Sequence, residues 1–123
     1  MTQSKNLNLT VSLRGTREVN ENYQIIRLTG LLDAFSEPTV RKVIGACIDE
    51  GPKHIIMVLS QIDFIDSSGL GVLVQLVKQA QTGGGSLQLI TNPRVTQTVK
   101  LVRLEKFLCL QPSLEVALEN LNK

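Results

Sequence analysis

The chain has 123 residues, 42% hydrophobic and 20% charged, which fits one compact domain and excludes a disordered polar chain. Thirteen basic against eleven acidic residues leave a net charge of +2. That is too small for bulk capture of nucleic acid or of an anionic membrane to be the main activity, so no direct nucleic-acid partner is expected. The single histidine, His54, and two cysteines, Cys47 and Cys109, show no metal-ligand spacing and no disulfide framework. Neither a metal nor a cofactor is expected. Both thiols, set in apolar runs, are expected buried and unpaired in a reducing compartment. Residues 1–6 carry no apolar leader and no apolar run approaches the ~20 residues of a membrane span. The expectation is a single cytoplasmic domain over residues 1–123.

Leu7, Leu9, Val11 and Leu13 alternate with polar residues, the period of a half-buried strand. Residues 14–22 are polar, contain Gly15 and predict a turn; residues 23–29 predict a second strand, antiparallel to the first. Ser36, Glu37 and Pro38 form a helix start. Val40, Val43, Ile44, Cys47 and Ile48 recur at helical spacing, and Gly51-Pro52 stops them. The apolar run 54–59 predicts a central strand covered on both faces.

Residues 63–69 predict a loop opening a second helix that runs to about Gln81, with Leu73, Leu76, Val77 and Ala80 as its stripe. Gly83, Gly84 and Gly85 end it, and residues 87–91 predict the next strand. Asn92-Pro93 starts a third helix with Val95, Val99 and Val102 on one face. Residues 107–110 predict a short strand. Pro112-Ser113 introduces a last helix through Val116, Ala117 and Leu121. The order β-β-α-β-α-β-α-β-α defines an α/β fold: a mixed sheet of about five strands with four helices and right-handed crossovers. Val40, Ile44, Ile56, Val58, Leu73, Val77 and Leu89 are the expected core.

The segment Asp66-Ser67-Ser68-Gly69-Leu70-Gly71 lies where a buried strand gives way to a helix, the edge of an open α/β sheet where ligands and regulatory groups sit. Ser67 or Ser68 could simply cap the helix. Alternatively one of them carries a phosphate, which the free N–H groups and the helix dipole tolerate. Two glycines in one helical turn imply close approach of another group, since each costs about 1 kcal/mol relative to Ala. The Gly-x-Ser-x-Gly pattern of a hydrolase elbow is absent, and His54 falls at the opposite end of the preceding strand, so no catalytic residue is assigned and no enzyme is expected. Gly83 to Ser86 lacks the following Gly-Lys-Ser/Thr of a phosphate loop and reads as a helix end. Arg94, Lys100, Arg103 and Lys106 give the third helix a basic bias, either a solvated face or a contact surface for an acidic partner.

These residues resemble the STAS domain family, in particular its anti-sigma factor antagonists. The hexapeptide 66–71 carries the resemblance, supported by residues 27–33 ending in Gly30-Leu31-Leu32-Asp33. Residues 55–59 followed by 63–66, and Gly84-Gly85 followed by residues 87–89, extend it. In order and spacing it covers about residues 7–121. Only residues 103–107 match loosely.

The resemblance implies that Ser68 is phosphorylated by a partner that is both anti-sigma factor and serine kinase. The unphosphorylated protein binds that partner and frees a sigma factor, and a PP2C-type phosphatase resets it. It also implies a partner-binding surface from Asp33, Asp66, Ser67, Ser68, Gly69, Leu70 and Gly71, with Ser67 as cap or secondary acceptor. The alternatives are a STAS scaffold subunit of an ABC-type lipid transport assembly, and a nucleotide-binding or hydrolytic protein using the Ser68 loop.

Overall fold

The computed structural model describes residues 3–121; Met1 and Thr2, within the segment read as free of a leader, lie outside them. Six strands form one mixed sheet in sequential order, β1 (Gln3–Thr10), β2 (Leu13–Val19), β3 (Tyr23–Leu32), β4 (His54–Ile65), β5 (Ser86–Ile90) and β6 (Leu110–Gln111). The first three are antiparallel and the rest parallel to β3. Four helices connect or follow them: α1 (Glu37–Glu50), α2 (Ser67–Thr82), α3 (Pro93–Leu101) and α4 (Leu114–Leu121).

The α/β class, the four helices and the parallel crossovers agree with the sequence reading, but the sheet has six strands rather than about five. The difference is β2, where a turn was expected. The one expected strand 7–13 divides at Val11, which is 98% exposed in the β1–β2 turn. The next strand then runs through the polar segment. Its inward positions are Leu13, Gly15 and Arg17; Gly15 leaves space filled by Leu9 and Leu28. Arg17 is buried by hydrogen bonds instead of apolar contacts, donating through Nε to Gln24 Oε1 at 2.8 Å. Gln24 in turn donates to the carbonyls of Cys47 at 2.8 Å and Pro52 at 2.9 Å, tying the end of α1 to the sheet.

Both central strands also outrun their predicted ends. β3 continues to Leu32 and β4 to Ile65, so Asp63, Phe64 and Ile65 are strand rather than loop, with Leu31 opposite Phe64 and Leu32 opposite Ile65. Two register shifts absorb the irregularity.

The core has two layers. Leu13, Ile26, Leu28, Ile55, Met57 and Leu59 on one face of the sheet pack against Val40, Ile44, Leu73, Val77, Val95 and Val99 of α1, α2 and α3. On the other face Ile25, Ile56 and Ile90 meet Ala117 of α4. Gln88 fixes that helix by donating to the Ala117 carbonyl at 3.0 Å. Of the expected core, only Val58 is not fully buried; it packs beside α4.

Three smaller expectations are corrected. Cys47 is buried, but Cys109 is exposed: its backbone has φ 53°, which turns the side chain outward while Leu108 fills the core. Val102 is 49% exposed, because α3 ends at Leu101. The strand expected over 107–110 is reduced to β6, preceded by turns.

Candidate functional site

β3 and β4 are parallel and end side by side, so the loops that follow them, and the N-termini of α1 and α2, meet at one edge of the sheet. Asp66 joins the two. Its backbone N–H donates to the Leu32 carbonyl at 3.3 Å. Its Oδ1 accepts from Gly69 N at 2.9 Å and caps α2, while Oδ2 accepts from Ala34 N at 3.1 Å in the β3–α1 loop. The N-cap of α2 is therefore Asp66, not Ser67 or Ser68.

The β3–α1 loop is held from its other side as well. Asp33 Oδ1 accepts from Ser36 N at 3.0 Å, and Ser36 Oγ accepts from Asp33 N at 3.0 Å. Ser36 is fully buried and donates to the Leu31 carbonyl at 3.1 Å, so its hydroxyl stabilises the loop instead of capping α1. Upstream, Gly30 has φ +121°, and a Cβ there would collide with the Ser12 carbonyl oxygen. Only glycine suits that bend.

The remaining residues of 66–71 divide by direction. Gly69 is buried, and a Cβ on it would collide with the Leu32 carbonyl oxygen, so this glycine permits α2 to sit against the end of β3. Leu70 points into the core. Ser67 and Gly71 are exposed and Ser68 is half-buried. A Cβ on Gly71 would meet nothing within 4 Å, so no intramolecular packing accounts for a glycine there. With Asp66 taking the cap, neither Ser67 nor Ser68 hydroxyl has a hydrogen-bond partner among the described residues.

Two aromatic residues flank this surface and were missed by the sequence reading. Phe35, in the loop held by Asp33 and Asp66, is 68% exposed, and Phe64, two residues before Asp66, is 49% exposed. The available signal was an aromatic residue outside any apolar period, at Phe35 within an otherwise small and polar loop.

Chemically, the site offers hydroxyl groups at a helix N-terminus, beside the hydrogen-bonded carboxylates of Asp66 and Asp33. His54 is at the start of β4, the far end from Ser68, with Nδ1 2.8 Å from Ser86 Oγ. The larger cavities lie elsewhere, one of about 600 Å³ lined by Lys5, Arg17, Glu50 and Pro52 and one of about 540 Å³ lined by Asn6, Arg14, Arg27 and Thr29. Residues 66–71 line neither.

A six-stranded mixed α/β domain with a ridge of capped helix start and exposed aromatics is defined by fold and site together. The family model of the STAS domain matches residues 16–117, and the chain belongs to the STAS domain family. It is 31% identical over 104 residues to the anti-sigma F factor antagonist of Paenibacillus polymyxa, covering 83% of this chain and 86% of that one. Its fold matches an anti-sigma factor antagonist from Mycobacterium paratuberculosis with a TM-score of 0.82 at 23% identity, covering 95% of this chain and all of the other. It also matches the Bacillus cell fate determinant SpoIIAA in its phosphorylated form, with a TM-score of 0.63 at 23% identity over 84% of this chain and 94% of that one. No helix among the described residues is long and apolar enough to cross a membrane.

Proposed function

We propose that this protein is an anti-sigma factor antagonist acting in the cytoplasm as a single STAS domain, and that the phosphorylation state of Ser68 sets whether it binds its partner. The partner is an anti-sigma factor that is also a serine kinase; a PP2C-type phosphatase reverses the modification. The observation that carries this reading is the division of labour at the start of α2. Asp66 supplies the cap, leaving the Ser67 and Ser68 hydroxyls free of structural duty. A serine that does not hold the fold together can be modified without opening it.

Ser68 is the acceptor by the family resemblance, with Ser67, the more exposed of the pair, as the secondary candidate. The docking surface comprises Ser67, Ser68 and Gly71 together with Phe35 and Phe64. Asp33, Asp66, Gly69 and Leu70 hold it in shape from behind. Exposed aromatic residues at the edge of a site are the usual anchors of a protein interface, and bare backbone at Gly71 allows a partner to approach closely.

Affinity capture from native lysate with the wild type and Ser68→Asp tests the proposal. Wild type should retain an anti-sigma factor with serine kinase activity, and Ser68→Asp should lose it. Recovery of an ABC-type ATPase and permease with both proteins would contradict the proposal and favour a transport scaffold.

A further inference from the structure

A second surface lies on the outer side of α3 and the turn after it. Val95 and Val99 bury the inner side of this helix. The outer side is an open helix face presenting Pro93, Thr96, Gln97, Lys100 and Leu101. Leu101 is 76% exposed and Val102 49% exposed at its end, adjacent aliphatic side chains in water at a position the core does not require.

The charge of this region is one-sided. Residues 92–111 contain Arg94, Lys100, Arg103 and Lys106 against the single acid Glu105, so the region is more basic than the whole chain's +2. Four bases against one acid leave the segment a net +3. Arg94 is occupied, donating to the Asp63 carbonyl at 2.7 Å. Lys100, Arg103 and Lys106 are exposed and take no part in the ion pairs formed among the described residues, Arg27–Glu18 and Arg41–Glu37.

The backbone adds an independent sign. Arg103 N donates to the Lys100 carbonyl at 3.0 Å and Leu104 N to the Val99 carbonyl at 3.1 Å, the paired bonds of a helix-ending Schellman turn. The residue at the centre of such a turn is usually glycine, because its φ is positive. Here it is Arg103, with φ 59°. A bulky cation held where glycine would be easier is a backbone outlier of the kind found at functional surfaces.

We propose that the outer face of α3, with Leu101 and Val102 as apolar contacts and Lys100, Arg103 and Lys106 as its rim, docks an acidic amphipathic segment of another protein. Unpaired cations beside exposed aliphatics fit the leucine-and-carboxylate face of such a segment. α3 is nine residues, about 13 Å, long, so Leu101 and Arg103 stand a helix length away from its start, where Arg94 meets the Asp63 carbonyl.

The test titrates the ¹⁵N-labelled protein with a synthetic amphipathic helical peptide bearing leucine on one face and glutamate on the other. A glutamine-for-glutamate analogue and phosphatidylcholine vesicles containing phosphatidylglycerol serve as comparisons. The expected result is saturable binding with shift changes centred on residues 93–106. Affinity should fall about tenfold or more in Leu101→Ser combined with Lys100→Glu, and also in high salt, which screens the rim. Arg103→Gly should raise the melting temperature while lowering affinity, which separates the cation's role from folding. Equal affinity for the glutamine analogue, shift changes outside residues 93–106, or preference for the vesicles over the peptide would each overturn the proposal.

Discussion

The carboxylate of Asp66 reaches Ala34, thirty-two residues earlier in the chain, and accepts its backbone N–H at 3.1 Å. Because the other oxygen caps α2 at Gly69, one side chain sets the position of the Phe35 loop relative to Ser68. Asp66→Ala should cost about 1–2 kcal/mol in urea unfolding, the loss expected for a cap. Asp66→Asn keeps a capping oxygen but turns its amide toward the Ala34 donor, and should cost less. A stability in Asp66→Ala equal to wild type would show that the capping geometry contributes nothing.

The two glycines of α2 should respond in opposite senses. Gly69→Ala forces a Cβ into the Leu32 carbonyl and should destabilise by about 2 kcal/mol or more, as overpacking against backbone does. Gly71→Ala meets open space and should stabilise by about 0.5–1 kcal/mol, the helix propensity difference. Partner binding should nevertheless weaken in Gly71→Ala, since the added methyl stands on the docking surface. Parallel melts of the two variants decide this; losses of similar size would refute the assignment of directions.

Each core layer has a side chain suited to truncation. Ile56 lies under α4 and Leu73 lies between α2 and the sheet, both with 0% exposure. Ile56→Ala and Leu73→Ala should each lose about 2–5 kcal/mol, read from chemical denaturation. A loss below about 1 kcal/mol in either would place that residue outside a packed core.

The cysteines should differ sharply in reactivity. Cys109, exposed, should label with a thiol reagent in the native state, whereas Cys47 should label only as the domain opens. Burial pushes the Cys47 thiol above its ordinary pKa, partly opposed by the Arg17 cation. The folded state therefore favours the neutral thiol. Its contribution to stability is intact below about pH 8.5, the thiol's unfolded value, and declines as pH rises above that and the unfolded chain ionises first. Cys47→Ala should flatten this alkaline decline. Rapid labelling of Cys47 at neutral pH would contradict its placement.

Apolar periodicity revealed the parts of this fold that are built on it: α1, α2, and the strands around Ile55 and Leu89. β2 was illegible for a physical reason. Its inward positions hold a glycine whose space Leu9 and Leu28 fill and an arginine whose donors are met by hydrogen bonds, so nothing apolar repeats at period two. Cys109 was misplaced because a positive φ turned it outward, which residue type does not disclose. At the site, the serines and the strand-to-helix position could be read directly. The cap could not: Asp, Ser and Asn cap about equally well, and only the distance to Ala34 shows why Asp66 holds the place. Phe35 and Phe64 reach the surface through a loop and a shifted strand register, neither of which has a sequence period.

The most direct measurement is site mapping of the phosphate with partner affinity measured before and after modification, using the kinase recovered by affinity capture. Phosphorylation adds about −1.5 to −2 charges at pH 7, of which the α2 N-terminus offsets only about 0.3–1 kcal/mol. The fold should survive. A partner surface shaped to a neutral hydroxyl near Asp33 and Asp66 would meet a like-charge penalty of several kcal/mol, and each ~1.4 kcal/mol is tenfold in affinity. The predicted result is phosphate on Ser68, an unchanged thermal unfolding profile, and a loss of binding of about a hundredfold or more. Phosphate on Ser67 alone, or undiminished binding by the Ser68-phosphorylated protein, would contradict the account.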